Sequence, residues 1–229
     1  MNLPSVALFT PLQVGDWTFV LDNVGYLAGG LGFTIVLTVV SIVLGFIVGF
    51  PAGAVEVYGG RYSALPVEIV GTVLRGTPLL VILIFAYFVF PIGSAFVAAV
   101  LGLGLRSAAY QSQIFRGALQ SVGEGQMEAA RAVGMTRLQA ITYVIVPQAL
   151  RRSIPGFQNE FTIVLKDTSI AFAIGFAELL TRSYDLFLQR TTAVLEAILF
   201  VSLIYFVLTF GTNRALDYLA ETYEIPTGE

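Results

Sequence analysis

Residues 31–55 form a run of 25 residues without one charged side chain. About 20 consecutive apolar residues in a helix are enough to cross the hydrocarbon of a bilayer, so this run reads as one tilted transmembrane helix. Gly45, Gly49 and Gly53 recur within it at four-residue spacing. That spacing sets small residues on one helix face, where a second helix can approach closely. Four more apolar runs follow, at 67–90, 94–115, 161–180 and 191–211. The expected fold is therefore all-α and integral to a membrane, with five transmembrane helices. Composition agrees: 56% of the chain is hydrophobic, 12% is charged and the mean hydropathy is +0.83, against roughly 25% charged in soluble proteins. A length of 229 residues allows one domain or a small pair, and apolar runs spread from end to end favour one bundle.

The connections between these runs are short. Residues 56–66, with Glu56 and Arg61, read as an aqueous loop, and Pro91-Ile92-Gly93 as a tight turn. Residues 1–26 form an extracytoplasmic or interfacial segment, in which Trp17, Phe19 and Tyr26 suit the headgroup level and a short surface helix. The first fifteen residues lack the basic region of a cleavable signal peptide, so the mature chain is expected to start near Met1. From Thr212 the chain turns polar and acidic, ending in a tail at 220–229.

The longest polar interruption is 120–159, and it holds two helix signatures back to back. The first runs over 124–133 and stops at Gly134, the residue type that enters the left-handed conformation most cheaply. The second opens with Thr136 and Gln139 at capping-box spacing. Leu138, Ile141 and Ile145 then recur on one helical face, and Pro147 is expected to kink or end the helix. Two short amphipathic helices joined by a glycine make a compact knob suited to docking another protein.

Glu128-Ala129-Ala130, Gly134 four residues later, and the tail Val144-Ile145-Val146-Pro147 resemble the EAA loop of ABC-transporter permeases. The family tail usually reads Ile-x-Leu-Pro, so the valines at 144 and 146 are conservative departures. Other segments resemble the permeases of polar amino acid uptake systems: Arg75-Gly76-Thr77-Pro78-Leu79-Leu80-Val81, Ala109-Tyr110 with Ile114-Phe115-Arg116-Gly117, Pro147-Gln148-Ala149-Leu150-Arg151, and Lys166-Asp167-Thr168-Ser169. The resemblance implies a type I permease domain over 27–219, with a cytoplasmic coupling loop at 120–159 between the third and fourth spans. It implies coupling to an ATP-binding subunit pair through Glu128, Ala129, Ala130, Arg131 and Gly134. It further implies a second permease subunit, identical or paralogous, and an extracytoplasmic solute-binding protein. ATP and Mg would sit on the partner, with no cofactor on this chain. The implied cargo is a polar amino acid; the alternatives are an opine or organic anion or, in another class, a partner-free secondary transporter or channel.

Charge gives a topology without the resemblance. Arg116, Arg131, Arg137, Arg151 and Arg152 gather around the long loop, and with five spans Arg61 and Arg214 share its side. Only Arg182 and Arg190 fall opposite. The positive-inside rule then places the loop and C-terminus in the cytoplasm and the N-terminus outside; the resemblance implies that the membrane is the cell membrane of a prokaryote, crossed several times.

Several polar residues admit two readings. Glu128 either pairs with Arg131 along a solvated helix face or contacts the partner. Arg106, mid-span, costs at least ~2.5 kcal/mol in a bilayer and must face protein or water. It either awaits a substrate carboxylate, for which its planar fork is suited, or pairs with a buried acid. Gln113 stands where the family often shows a glutamate, and is either a selectivity residue or an end-of-helix polar group. Lys166 and Asp167 are adjacent and do not face one another on a helix; with Ser169 they either line a pathway or pair across helices. Arg75 and Thr77, before Pro78, read as a locally opened helix beside protein or water. Together Arg75, Thr77, Arg106, Gln113, Lys166, Asp167 and Ser169 are the candidate substrate pathway.

Other classes are excluded. The chain has no histidine and no cysteine, which removes Ser-His catalysis, histidine or thiolate metal sites and disulfides. A net charge of -3 gives no basic face for nucleic acid. There is no G-x-x-x-x-G-K-[ST] sequence, so ATP is not bound by a P-loop here.

Overall fold

The computed structural model describes residues 16–90 and 93–223. The predicted turn at 91–93 therefore lies, apart from Gly93, outside the described residues, as do residues 1–15 and 224–229. The described chain is helical with no strand. After a short helix α1 (Trp17–Asp22) come α2 (Val24–Tyr58), α3 (Arg61–Gly76), α4 (Leu79–Phe88) and α5 (Ala95–Ser121). The knob is α6 (Glu124–Ala132), α7 (Arg137–Ala140) and a π-turn (Ile141–Ile145); α8 (Val146–Asp167), α9 (Leu179–Gln189) and α10 (Val194–Tyr223) complete the bundle.

The fold is organised on α2 against α5. Apart from Leu27 and Leu37, the buried stripe of α2 is small or polar, with Thr34, Thr38, Ser41, Gly45, Gly49 and Gly53, while its outer face shows Phe33, Val36, Val40 and Ile47. This inverts a soluble helix: bulk belongs on the face that meets lipid, and small residues let backbones touch. A Cβ on Gly49 would lie 2.6 Å from the Ala108 carbonyl oxygen, and one on Gly53 2.6 Å from that of Ser112. The glycine face read from the sequence is therefore the helix contact.

The contacts also give direction. Gly45, Gly49 and Gly53 meet successively later residues of α5, from Ser107 to Arg116, so α2 and α5 run parallel. Ser107 meets Glu160 and Arg152 meets Ser121, so α8 returns antiparallel to α5. Gln158 with Asp217, and Thr162 with Asn213, make α10 antiparallel to α8. The knob thus shares one end of the bundle with the C-terminal ends of α2 and α10, and Asp16 with Arg190 marks the other.

Three segments depart from the sequence reading. Residues 56–66 are helical except at Gly59 and Gly60, because α2 continues to Tyr58 and α3 tolerates Pro66 near its start. The run 67–90 is not one helix. Pro78 has no N–H and drives the preceding Thr77 into an extended conformation (φ -93°, ψ 132°), so α3 and α4 meet at a bend of 104°. The run 161–180 is broken too: after α8 a 3₁₀ segment, Thr168–Ile174, ends at Gly175 with φ +72°, and α9 starts anew. Among the described residues, two helices are long and apolar enough by length and composition to cross a membrane, or three if the bent α3–α4 pair counts as one. The polar stretch from Thr212 stays helical through Tyr223.

Candidate functional site

One turn of α5 carries Arg106, Ser107, Tyr110 and Gln111, and it faces Glu160 and Asp167 on α8. Arg106 Nη1 lies 2.7 Å from Asp167 Oδ2, with the two side chains only 20% and 23% exposed. The guanidinium also stacks over the Tyr110 ring at 5.1 Å. Arg106 Nε is buried without a hydrogen-bond partner, so one prong of the fork stays unused. Deeper in the contact, Gln111 donates to Ser107 Oγ (3.0 Å), and Ser107 donates to Glu160 Oε1 (2.7 Å). Glu160 and Gln111 are almost wholly buried, and Gln111 Oε1 has no partner. Two carboxylates and one guanidinium thus stand between two helices, a placement that apolar packing alone would disfavour.

The remaining predicted pathway residues do not all join this cluster. Arg75 donates to the Ala109 carbonyl at 2.8 Å, on the α3 side of the same α5 turn. Thr77 donates to the Val73 carbonyl (2.7 Å) and closes α3. Ser169 donates to the Lys166 carbonyl (2.7 Å), while the Lys166 side chain is exposed beside Asp167. Gln113 points elsewhere, donating at 2.8 Å to Glu56 at the end of α2.

In the knob, Gly134 has φ +89°, and the Met135 N–H returns to the Ala130 carbonyl at 3.1 Å, closing α6 in a left-handed cap. The capping box forms in full: Thr136 N–H donates to Gln139 Oε1 at 2.8 Å and Gln139 N–H to Thr136 Oγ1 at 3.3 Å. Glu128 and Ala129 are exposed, but Ala130 is buried inside the knob. The ion pair between Glu128 and Arg131 does not form; Arg131 donates to the Met135 carbonyl at 3.2 Å. The predicted apolar face of Leu138, Ile141 and Ile145 is split. Ile145 is buried and Leu138 is 72% exposed, because the π-turn inserts extra residues and rotates the register. Pro147 does not end a helix: it opens α8 in the first turn, where no N–H donor is required. Val133, Leu138 and Tyr143 therefore make an apolar outer surface on the knob.

The family described as binding-protein-dependent transport system inner membrane component matches residues 41–224. The chain belongs to that family. It is a permease subunit, the inner-membrane component of an ABC importer, and not itself an ATPase. The permease is 34% identical over 216 residues to the glutamine transport system permease protein GlnP of Escherichia coli (strain K12), a match covering 92% of this chain and 98% of that one. It is 33% identical over 214 residues to the L-cystine transport system permease protein TcyB of Bacillus subtilis (strain 168), covering 91% and 90%. The crystal structure of an amino acid ABC transporter with histidines superposes with a TM-score of 0.83 at 32% identity, covering 92% of the permease and 100% of that chain.

Two acids of the permease escaped the sequence reading. Glu160 carries no local signal, because its partner Ser107 lies 53 positions away. Glu178, fully buried, accepts from Leu180 N–H (2.7 Å), from Thr181 N–H (2.6 Å) and from the Tyr205 hydroxyl (3.0 Å). It caps α9 and ties it to α10. A glycine followed three residues later by an acid was the available signal for a helix restart.

Proposed function

We propose that the permease imports polar amino acids, with Arg106 and Asp167 reading the two charges common to that cargo. The guanidinium takes the α-carboxylate and the Asp167 carboxylate takes the α-ammonium, so cargo exchanges for the internal ion pair without leaving a charge unpaired. The observation that carries this reading is the 2.7 Å pair with Arg106 Nε left unsatisfied. The cargoes for which the two relatives are named, glutamine and L-cystine, share those two charges. Lys166, Ser169, Arg75 and Thr77 border the route.

The permease crosses the membrane five times: α2, the bent α3–α4 pair, α5, α8 with its 3₁₀ extension, and α10. The alternating helix directions support this count. The knob and C-terminus face the cytoplasm and the N-terminus lies outside; the arginines at 116, 131, 137, 151 and 152 support this side for the knob. The knob docks one of a pair of ATP-binding subunits, which hold ATP and Mg. Glu128 and Ala129, with Leu138 and Tyr143, form the contact, and Gly134 sets its shape. A second permease subunit and an extracytoplasmic solute-binding protein complete the importer.

The test is co-purification in detergent with the ATP-binding subunit, followed by uptake of labelled glutamine, cystine and glutamate into proteoliposomes containing the solute-binding protein. Wild type is expected to hold the ATPase and accumulate at least one of these. Glu128→Arg should release the ATPase without unfolding the permease. Retained ATPase with no amino acid uptake would overturn the cargo, and no ATPase association would overturn the coupling.

A further inference from the structure

Gln113 leads away from the cargo cluster to a second buried carboxylate. Glu56, in the last turn of α2, is only 2% exposed at its side chain. Its Oε2 accepts from Gln113 Nε2 at 2.8 Å and from Arg116 Nη1 at 3.2 Å, both on α5. Its Oε1 is buried with no partner. One turn before, Gly53 lies against the Ser112 carbonyl and Phe115. In Glu56's own turn, Ala54, Val57 and Tyr58 pack on the apolar cluster of Ala118, Leu119 and Val122, which also takes in Met127 and Ile145 of the knob. Glu56 therefore sits where the tightly packed α2–α5 pair meets the knob.

Stability alone is a poor account of this carboxylate. A half-buried ion pair with one orphaned oxygen gives back little of its desolvation cost, and an apolar side chain at 56 would pack as well. Directional bonds extend the register set by the glycine contact to the last turn of α2, the point where a load from the knob arrives. We propose that Glu56 is a positioning residue, tied to Gln113 and Arg116, that makes α2 and α5 move as one body when the knob is displaced. This rests on the importer reading above and adds the route by which the stroke enters the bundle. Without the tie, knob motion would be spent in splaying α5 away from the last turn of α2, beyond the glycine contact, and ATP would be hydrolysed with little transport.

The experiment uses the complete importer in proteoliposomes and reads amino acid accumulated per ATP hydrolysed. In Glu56→Ala, assembly and ATPase stimulated by the binding protein should stay within about twofold of wild type, while the uptake-to-ATP ratio falls about tenfold. Glu56→Gln, whose amide oxygen still accepts from both donors, should lose less. The chain has no cysteine, so Glu56→Cys with Gln113→Cys allows the tie to be rebuilt by a short bis-maleimide. The open double variant should be uncoupled, and cross-linking should restore the ratio. Parallel loss of ATPase and uptake, or a cross-link that restores nothing, would assign Glu56 a purely structural role and sink the proposal, as would an unchanged ratio in Glu56→Ala. Failure of the importer reading is separate: the wild-type complex would then show neither ATPase association nor amino acid uptake.

Discussion

Arg106 and Asp167 hold each other at 2.7 Å while each is about one-fifth exposed. Removing one charge leaves the other stranded at a cost of about 3 kcal/mol, more than removing both. Arg106→Ala and Asp167→Asn should each lower the thermal midpoint in detergent, and the double variant should recover part of the loss. Cargo should separate the roles: Arg106→Ala should lose at least tenfold in uptake of free amino acids and discriminate less against their carboxamides. Equal losses for both cargoes would count against carboxylate recognition. Small residues are as position-specific as charged ones. Gly49→Ala forces a Cβ to within 2.6 Å of the Ala108 backbone oxygen, whereas nothing lies within 4 Å of a Cβ at Gly32. Gly49→Ala should cost about 1–3 kcal/mol by overpacking, and Gly32→Ala should be neutral or slightly stabilising. Thermal scans of the two variants, run side by side, check this.

At the scale of elements, the knob was legible because its signals are local. A left-handed glycine and a capping box act within a few residues, and both formed as Gly134, Thr136 and Gln139 indicated. Thr136→Ala should weaken α7 by about 1 kcal/mol, and Gly134→Ala should strain the φ of +89° by about 1–2 kcal/mol. Both should appear as faster proteolysis near 123–140, with the bundle intact. The breaks were harder to see. Pro78 was noticed but the 104° bend was not, because hydropathy stays high across it. The run 161–180 is split at Gly175, and α9 restarts on the Glu178 cap; the π-turn turned Leu138 outward where a regular 3.6-residue period put it inward. The pairing of Arg106 with Asp167, one of the two readings of that arginine, depends on residues 61 positions apart. Local periodicity carries no information over that distance.

Across the whole molecule the apolar exterior and the separation of its two charged ends set the remaining expectation. Single cysteines can be placed freely in a chain that has none. A membrane-impermeant maleimide added to sealed right-side-out vesicles should label a cysteine at Leu188, near the Arg190 end, and spare one at Leu138 on the knob. Inside-out vesicles should give the reverse. Labelling of both from one side would contradict an odd number of crossings between them.

The glycine contact of α2 with α5 has a mechanical corollary. Gly45, Gly49 and Gly53 repeat every four residues, about 6 Å along a helix axis. A shift of the pair by a fraction of that pitch would drive bulky neighbours such as Leu44 and Val48 toward the α5 backbone. The next comfortable seat lies a full glycine away. The two helices therefore behave as a notched rod with discrete stops, and small adjustments during a transport cycle must be taken up at the hinges that flank them: Gly59-Gly60, Thr77-Pro78 and Gly175.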